Sequence, residues 1–224
     1  MDYTEIVDLS GDCTVSLPEY PQELSGTTGQ LLDDKIIVCG GGIIPGLGGN
    51  TTSDCFTLRK GESSFESFPS MKEARYAAKS IVNQCRMWVT GGIGKTFDIL
   101  SSTEYIPNNS SNAPSLPEPL AMHAIISIND TTSMLIGGFT KFFANNNDLP
   151  SSKTYYFDHL SQTWKSGPCL MNGRAMHSAG IVTDHVTHEQ HIAVVGGALE
   201  YGSTPGTDSV ELLLSGGTQW TEGI

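Results

Sequence analysis

Met134-Leu135-Ile136-Gly137-Gly138, followed by Thr154-Tyr155-Tyr156-Phe157 and then by Trp164-x3-Pro168-x2-Met171-x-Gly173-Arg174-x2-His177, is the stretch from which the rest of the chain can be read. Its first part recurs. Apolar runs ending in two glycines occupy 36–41, 87–92, 134–138 and 192–197, with the pairs Gly40-Gly41, Gly91-Gly92, Gly137-Gly138 and Gly196-Gly197. The first glycines are 51, 46 and 59 residues apart. Each run is short and rich in β-branched or aromatic residues, the signature of a strand.

A second element keeps the period. Thr4-Glu-Ile-Val, Ser53-Asp-Cys-Phe, Thr103-Glu-Tyr-Ile, Thr154-Tyr-Tyr-Phe and Val210-Glu-Leu-Leu start 49, 50, 51 and 56 residues apart. A third is partial: Phe65-x3-Pro69-x-Met71-x3-Arg75 aligns with the Trp164-to-Arg174 segment, aromatic to arginine ten residues apart in both. A further strand follows at 77–83, 122–128 and 176–183. Each period therefore predicts four strands, and no stretch carries a helical periodicity over three turns. Segment 71–80 contains helix formers, but its place in the repeat predicts a turn and then a strand.

This set of features resembles the kelch repeat, most fully over 134–183 with Gly137, Gly138, Tyr155, Trp164, Met171, Gly173, Arg174 and His177. Phe65 stands for the tryptophan in one repeat, and the segment from Leu116 to His123 has Leu120 at the arginine position. The resemblance implies an all-β, kelch-type β-propeller of four-stranded antiparallel blades across residues 1–224. The predicted blades are 26–67, 76–117, 121–166 and 176–222, after an N-terminal half blade at 1–20. Such rings have six or seven blades, so the strand count predicts a fragment, a truncated product or a partial ring completed by another chain. The bare glycines are expected to let the rings of Phe65, Trp164 and Trp220 lie on the backbone.

The net charge of −12 and the pI near 4.7 argue against nucleic acid or an anionic membrane as partner. No run of about 18 apolar residues is present, and Met1–Leu9 has no basic segment followed by an apolar core, so no signal peptide is expected. The five scattered cysteines (Cys13, Cys39, Cys55, Cys85, Cys169) form no C-x-x-C pair. They are expected to be reduced and mostly buried, in a cytoplasmic protein. Asn50, Asn108, Asn109 and Asn129 head N-glycosylation patterns, which would be used if a longer chain were exported.

Three places could hide chemistry. Gly91-Gly-Ile-Gly-Lys-Thr96 imitates a phosphate loop but lacks its leading glycine and leads into a strand. His185, His188 and His191 have metal-ligand spacing, yet fall where a polar hairpin turn is expected. No Gly-x-Ser-x-Gly elbow occurs. The copper ligands of galactose oxidase, a kelch-fold enzyme, find no matching positions. No cofactor, metal or catalytic residue is therefore expected.

Repeat arrays bind through loops gathered on one face. The loops after each second strand are long, and that at 139–150 carries Phe142-Phe143, an aromatic anchor for a partner. Arg75, Tyr76, Arg174 and His177 open inner strands near the same face, and kelch domains that read acidic peptides imply a carboxylate clamp for such arginines. The alternative for them is capping of backbone carbonyls between blades. The expected function is a non-catalytic module binding a protein or peptide, such as the substrate-recognition unit of a ubiquitin ligase. A secreted kelch-fold enzyme or carbohydrate-binding protein is the second reading.

Overall fold

The structure, a computed structural model, describes residues 18–43, 51–107, 113–141, 149–200 and 206–223. The half blade expected at 1–20 lies almost wholly outside them. The described residues contain strands and turns with no helix. Blade 1 is β1 (Thr28–Leu32), β2 (Lys35–Cys39), β3 (Cys55–Arg59) and β4 (Glu66–Phe68). Blade 2 is β5 (Lys79–Asn83), β6 (Arg86–Thr90) and β7 (Thr103–Ile106). Blade 3 is β8 (Ala124–Asn129), β9 (Thr132–Ile136), β10 (Thr154–Asp158) and β11 (Thr163–Ser166). Blade 4 is β12 (Ser178–Thr183), β13 (Gln190–Val195), β14 (Val210–Leu213) and β15 (Trp220–Glu222). Within each sheet the strands pair antiparallel in chain order. Blade 2 departs from the four-strand expectation: its described residues form three strands. Pro114 takes the place that Pro168, just after the fourth strand, has in blade 3: Thr103 Oγ1 donates to Pro114 O as Thr154 Oγ1 does to Pro168 O.

The inner strands neighbour one another in the order β1, β5, β8, β12. A backbone relay joins them. The N–H of Ala77 donates to Gly26 O at 2.8 Å, that of Met122 to Ala77 O at 3.1 Å, and that of Met176 to Met122 O at 2.8 Å. Apolar side chains on facing sheets then fill the junctions. Trp88, fully buried, meets Phe157 and Trp164 from the next blade at 4.8 and 5.8 Å between ring centroids. Every indole N–H finds an acceptor: Trp88 reaches Thr103 Oγ1, Trp164 Ser115 O and Trp220 Pro168 O, each at 2.9 Å.

The diglycines do not serve the rings of Phe65, Trp164 and Trp220, and that expectation is corrected. All eight have positive φ, from +56° to +100°, where an L side chain is strained. What approaches them is the linker that enters the next blade. A Cβ on Gly40 would stand 2.6 Å from Arg75 O and one on Gly137 2.5 Å from Arg174 O, while one on Gly91 would overlap Leu120 O. In the first three pairs the second glycine then donates its N–H to the same carbonyl: Gly41 to Arg75 at 2.7 Å, Gly92 to Leu120 at 2.8 Å and Gly138 to Arg174 at 2.9 Å. The doublet is thus a socket for a backbone carbonyl.

The cysteine expectation is corrected as well. Cys39 and Cys55, buried and directly opposite one another on β2 and β3, form a disulfide. Cys85 and Cys169 are free but exposed. The cytoplasmic assignment leaned on reduced thiols, and the bridge removes that support.

Candidate functional site

Each linker is built to one plan. Met71 N–H donates to Ser53 O, Leu116 to Ser101 O and Leu170 to Ser152 O; four residues on, Arg75, Leu120 and Arg174 donate to Thr52, Leu100 and Ser151. Met71 is therefore the counterpart of Leu170. Met171, aligned with it from sequence alone, is 55% exposed.

Arg75 and Arg174 are 1% and 0% exposed. The Arg75 guanidinium donates to Gly91 O and Ser102 O at 2.8 and 2.9 Å and pairs with Glu104 Oε1 at 3.1 Å. Arg174 repeats this with Gly196 O, Ser209 O and, at 2.6 Å, Glu211 Oε1. Glu104 and Glu211 are themselves buried, and each accepts two linker amides, from Lys72 and Glu73 and from Met171 and Asn172. The clamp expected for a partner's carboxylate is thus closed on a carboxylate of the chain itself. Both arginines tie a linker to the second and third strands of the blade it enters.

The register shows what replaces this pair elsewhere. Glu104 lies opposite Val89 and Glu211 opposite Val194; the corresponding residue of blade 3 is Tyr155, opposite Leu135, and of blade 1 Phe56, opposite Val38. Blades 2 and 4 combine Arg with Glu. Blade 3 combines Leu120, 1% exposed, with an aromatic ring in one apolar cluster, and blade 1 has Leu24 with Phe56. Tyr155 keeps its hydroxyl bonded to Glu118 at 2.9 Å, and burial with that carboxylate raises its pKa.

His177 is likewise removed from the surface. His123 and His177 each lie between the glycine sockets of consecutive blades. A Cβ on Gly137 would meet the His177 ring at 2.9 Å, and one on Gly197 its Cβ at 2.9 Å; Gly91 and Gly138 flank His123 in the same way. Burial, reinforced by the Lys79 charge, pushes His123 down to about 3. Burial and then the Arg174 guanidinium push His177 down to about 4. His123 Nε2 meets Thr90 Oγ1 at 2.9 Å. The His177 ring faces the backbone of Ile136, but neither nitrogen makes a well-formed hydrogen bond among the described residues. Both rings are neutral wedges, since a charge here would be desolvated without a counter-ion.

Of the predicted contact residues among those described, Tyr76 alone remains partly open, its ring lying over Gly26, where a Cβ would overlap it. Phe142 and Phe143 fall outside the described residues. Around Tyr76 the starts of the inner strands form a depression of about 250 Å³, lined by Gly26, Tyr76, Ala77, Lys79, Met122 and Met176. Met176 is 55% exposed. Lys95 and Lys141, in the loops after β6 and β9, are exposed. Beneath these loops Ile93, Ala121, Phe139 and Ala175 make a small apolar platform. The depression joins an aromatic ring, an adaptable thioether and a cation on rigid strand ends. Sequence reasoning missed Lys79 and Met176, which lie four residues past Arg75 and two past Arg174, at or just before the starts of the inner strands.

The other candidates resolve simply. The segment at 91–96 turns back through Gly94 and Asp98, with no helix after it. The turn from Asp184 to Glu189 is exposed, and no metal-holding group of three residues occurs among the described residues. Asn129 caps its own turn by accepting from Thr131.

No protein-family model matches the chain. Beta-scruin of Limulus polyphemus, a kelch-repeat protein, is 30% identical over 167 residues. The match covers 72% of this chain and 18% of the relative, so the chain spans under a fifth of that protein's length. The solved structure of YjhT, a kelch-type propeller, superposes with a TM-score of 0.64 at 12% identity, covering 94% of this chain and 87% of that one. At that identity the likeness is one of fold.

Proposed function

Since this chain is a kelch-repeat β-propeller protein, we propose that it is a non-catalytic interaction module that engages a protein partner across the face holding Tyr76, Lys79 and Met176. One observation carries the reading. Arg75, Arg174, His123 and His177 are spent on joining blades, while the mouth at the inner strand starts offers an accessible thioether, a ring edge and an ammonium side by side. Interface centres favour this mixture of Met and aromatic groups. The likeness to Beta-scruin supports a protein partner. In its finer form the module selects substrates for a ubiquitin ligase supplied by another chain. Phe142-Phe143 forms a second contact on the neighbouring loop.

Affinity capture with the double variant Met176→Asn/Lys79→Glu tests this. Met176 has a φ of +57°, which asparagine tolerates, so the fold is retained. Recovery of the bound protein is expected to fall about tenfold, the effect of losing one or two central contacts. Phe142→Ser/Phe143→Ser is the second arm. Undiminished recovery in both arms overturns the assignment of this face.

A further inference from the structure

The junction between blades 3 and 4 is less full than the one before it. Between blades 2 and 3, near the hairpin ends, Trp88 meets the Phe157 ring at 4.8 Å and the His159 ring at 5.5 Å. His159 is 4% exposed and anchored by Ser133 Oγ at 2.7 Å and by Thr131 O at 2.8 Å. Strand register puts Met134 in the place of Trp88 and Leu213 in the place of Phe157, and two residues further on Ser215 replaces His159. An indole, a phenyl ring and an imidazole become a thioether, an isobutyl group and a hydroxymethyl.

A cavity of about 300 Å³ opens there, against Leu213 and Ser215. This is the lower end of the range for small-molecule pockets. Ile128 and Ile181 supply apolar walls, and Ile181 is 37% exposed, so the space reaches solvent. Gln190, His191, Ser215 and Tyr156 bring polar side chains to its border, and two of them offer donors. His191 Nδ1 accepts the Ser215 N–H at 3.1 Å, which in the neutral ring leaves the proton, and a free donor, on Nε2. The Tyr156 hydroxyl has no partner among the described residues, and burial raises its pKa, so it too stays a donor. No lysine or arginine lines the cavity, so a carboxylate would enter uncompensated, against the field of a protein of net charge −12.

We propose that the cleft between blades 3 and 4 binds a small, uncharged aromatic compound carrying a carbonyl acceptor, its ring taking the space that Phe157 and His159 fill at the preceding junction and its oxygen meeting Tyr156 and His191. The surface is distinct from the face around Tyr76 and does not depend on what binds there.

Acetophenone is the probe, titrated into the isotope-labelled full chain and followed by amide NMR, with ethylbenzene and benzoate as comparison arms. Saturable shifts are expected at residues 190–192 and 215–217 with acetophenone, and weaker ones with the other two. Tyr156→Phe should weaken binding about three- to tenfold, the worth of one neutral hydrogen bond. Ser215→His, which restores the ring of the preceding junction, should abolish it. If that variant does not fold, the Tyr156→Phe ratio and the order of the three probes decide. No saturable shift in the wild type, shifts that survive Ser215→His, or equal response to acetophenone and ethylbenzene would overturn the proposal.

Discussion

Replacing Arg174 with alanine is expected to cost about 3–5 kcal/mol of stability, a large share of what a domain of this kind has to lose. The loss comes less from the departed attraction than from what stays behind. Glu211, 2% exposed, would stay buried with only the amides of Met171 and Asn172 as donors, Gly196 O would lose the guanidinium, and Ser209 O would keep only the Gly196 N–H. The chain itself contains the compensating solution: at the preceding linker Leu120 faces a blade whose corresponding residue is Tyr155. The double variant Arg174→Leu/Glu211→Tyr is therefore expected to regain most of the loss, because an apolar pair of similar volume replaces the buried ion pair. Urea unfolding of the two single variants and the double measures the coupling. A cost for Arg174→Ala below about 1 kcal/mol, the level of an exposed ion pair, would contradict the closed role given to this residue.

Acidification should begin to destabilise the fold near pH 6.5. His123 and His177 have folded pKa values near 3 and 4, below the usual 6.5. In the unfolded chain both take up protons near pH 6.5, and in the folded chain they do not. Their contribution is fully present above that pH and is lost as the pH falls toward the folded values. Each histidine adds a slope approaching about 1.4 kcal/mol per pH unit between roughly pH 6 and pH 4.5. His177→Ala isolates one of them. Its ring makes no well-formed hydrogen bond among the described residues, and blade 2 already has Ala78 at this position. The variant should lose about half the acid-side slope in denaturant midpoints. A midpoint independent of pH between 7 and 5 would show that the two rings are not buried as described.

The architecture was legible because the glycine doublets and the β-branched runs recur at a nearly constant spacing, and such spacing survives changes in almost every other residue. The reasons behind the motif were less visible. Gly137 and Gly138 look like clearance for a neighbouring ring, and only the path of the linker shows that a carbonyl approaches them. Met71 and Met171 align by residue type, yet the amide count back from the arginine puts Leu170 at that place. Cys39 and Cys55 are 16 residues apart with nothing between them to suggest a bridge, until strand register sets them opposite each other. The burial of Arg75 and Arg174 could have been found. Glu104 and Glu211 occur in the third strand only where the linker has arginine, and where it has Leu24 or Leu120 an aromatic residue stands instead. That pattern argues for a partner inside the chain. The cleft between blades 3 and 4 leaves no trace in the repeat, because it lies against Leu213 and Ser215, which are smaller than their counterparts Phe157 and His159.

Hydrogen exchange at the blade junctions tests the central claim that linker and relay amides hold the blades together. The N–H groups of Gly41, Gly92 and Gly138, bonded to linker carbonyls, and of Ala77, Met122 and Met176, bonded along the inner strands, should open only with global unfolding and so share the highest protection in the chain. Exchange of these six amides as fast as that of the exposed turn at 184–189, while the strand amides stay protected, would mean that the blades are not joined in this way.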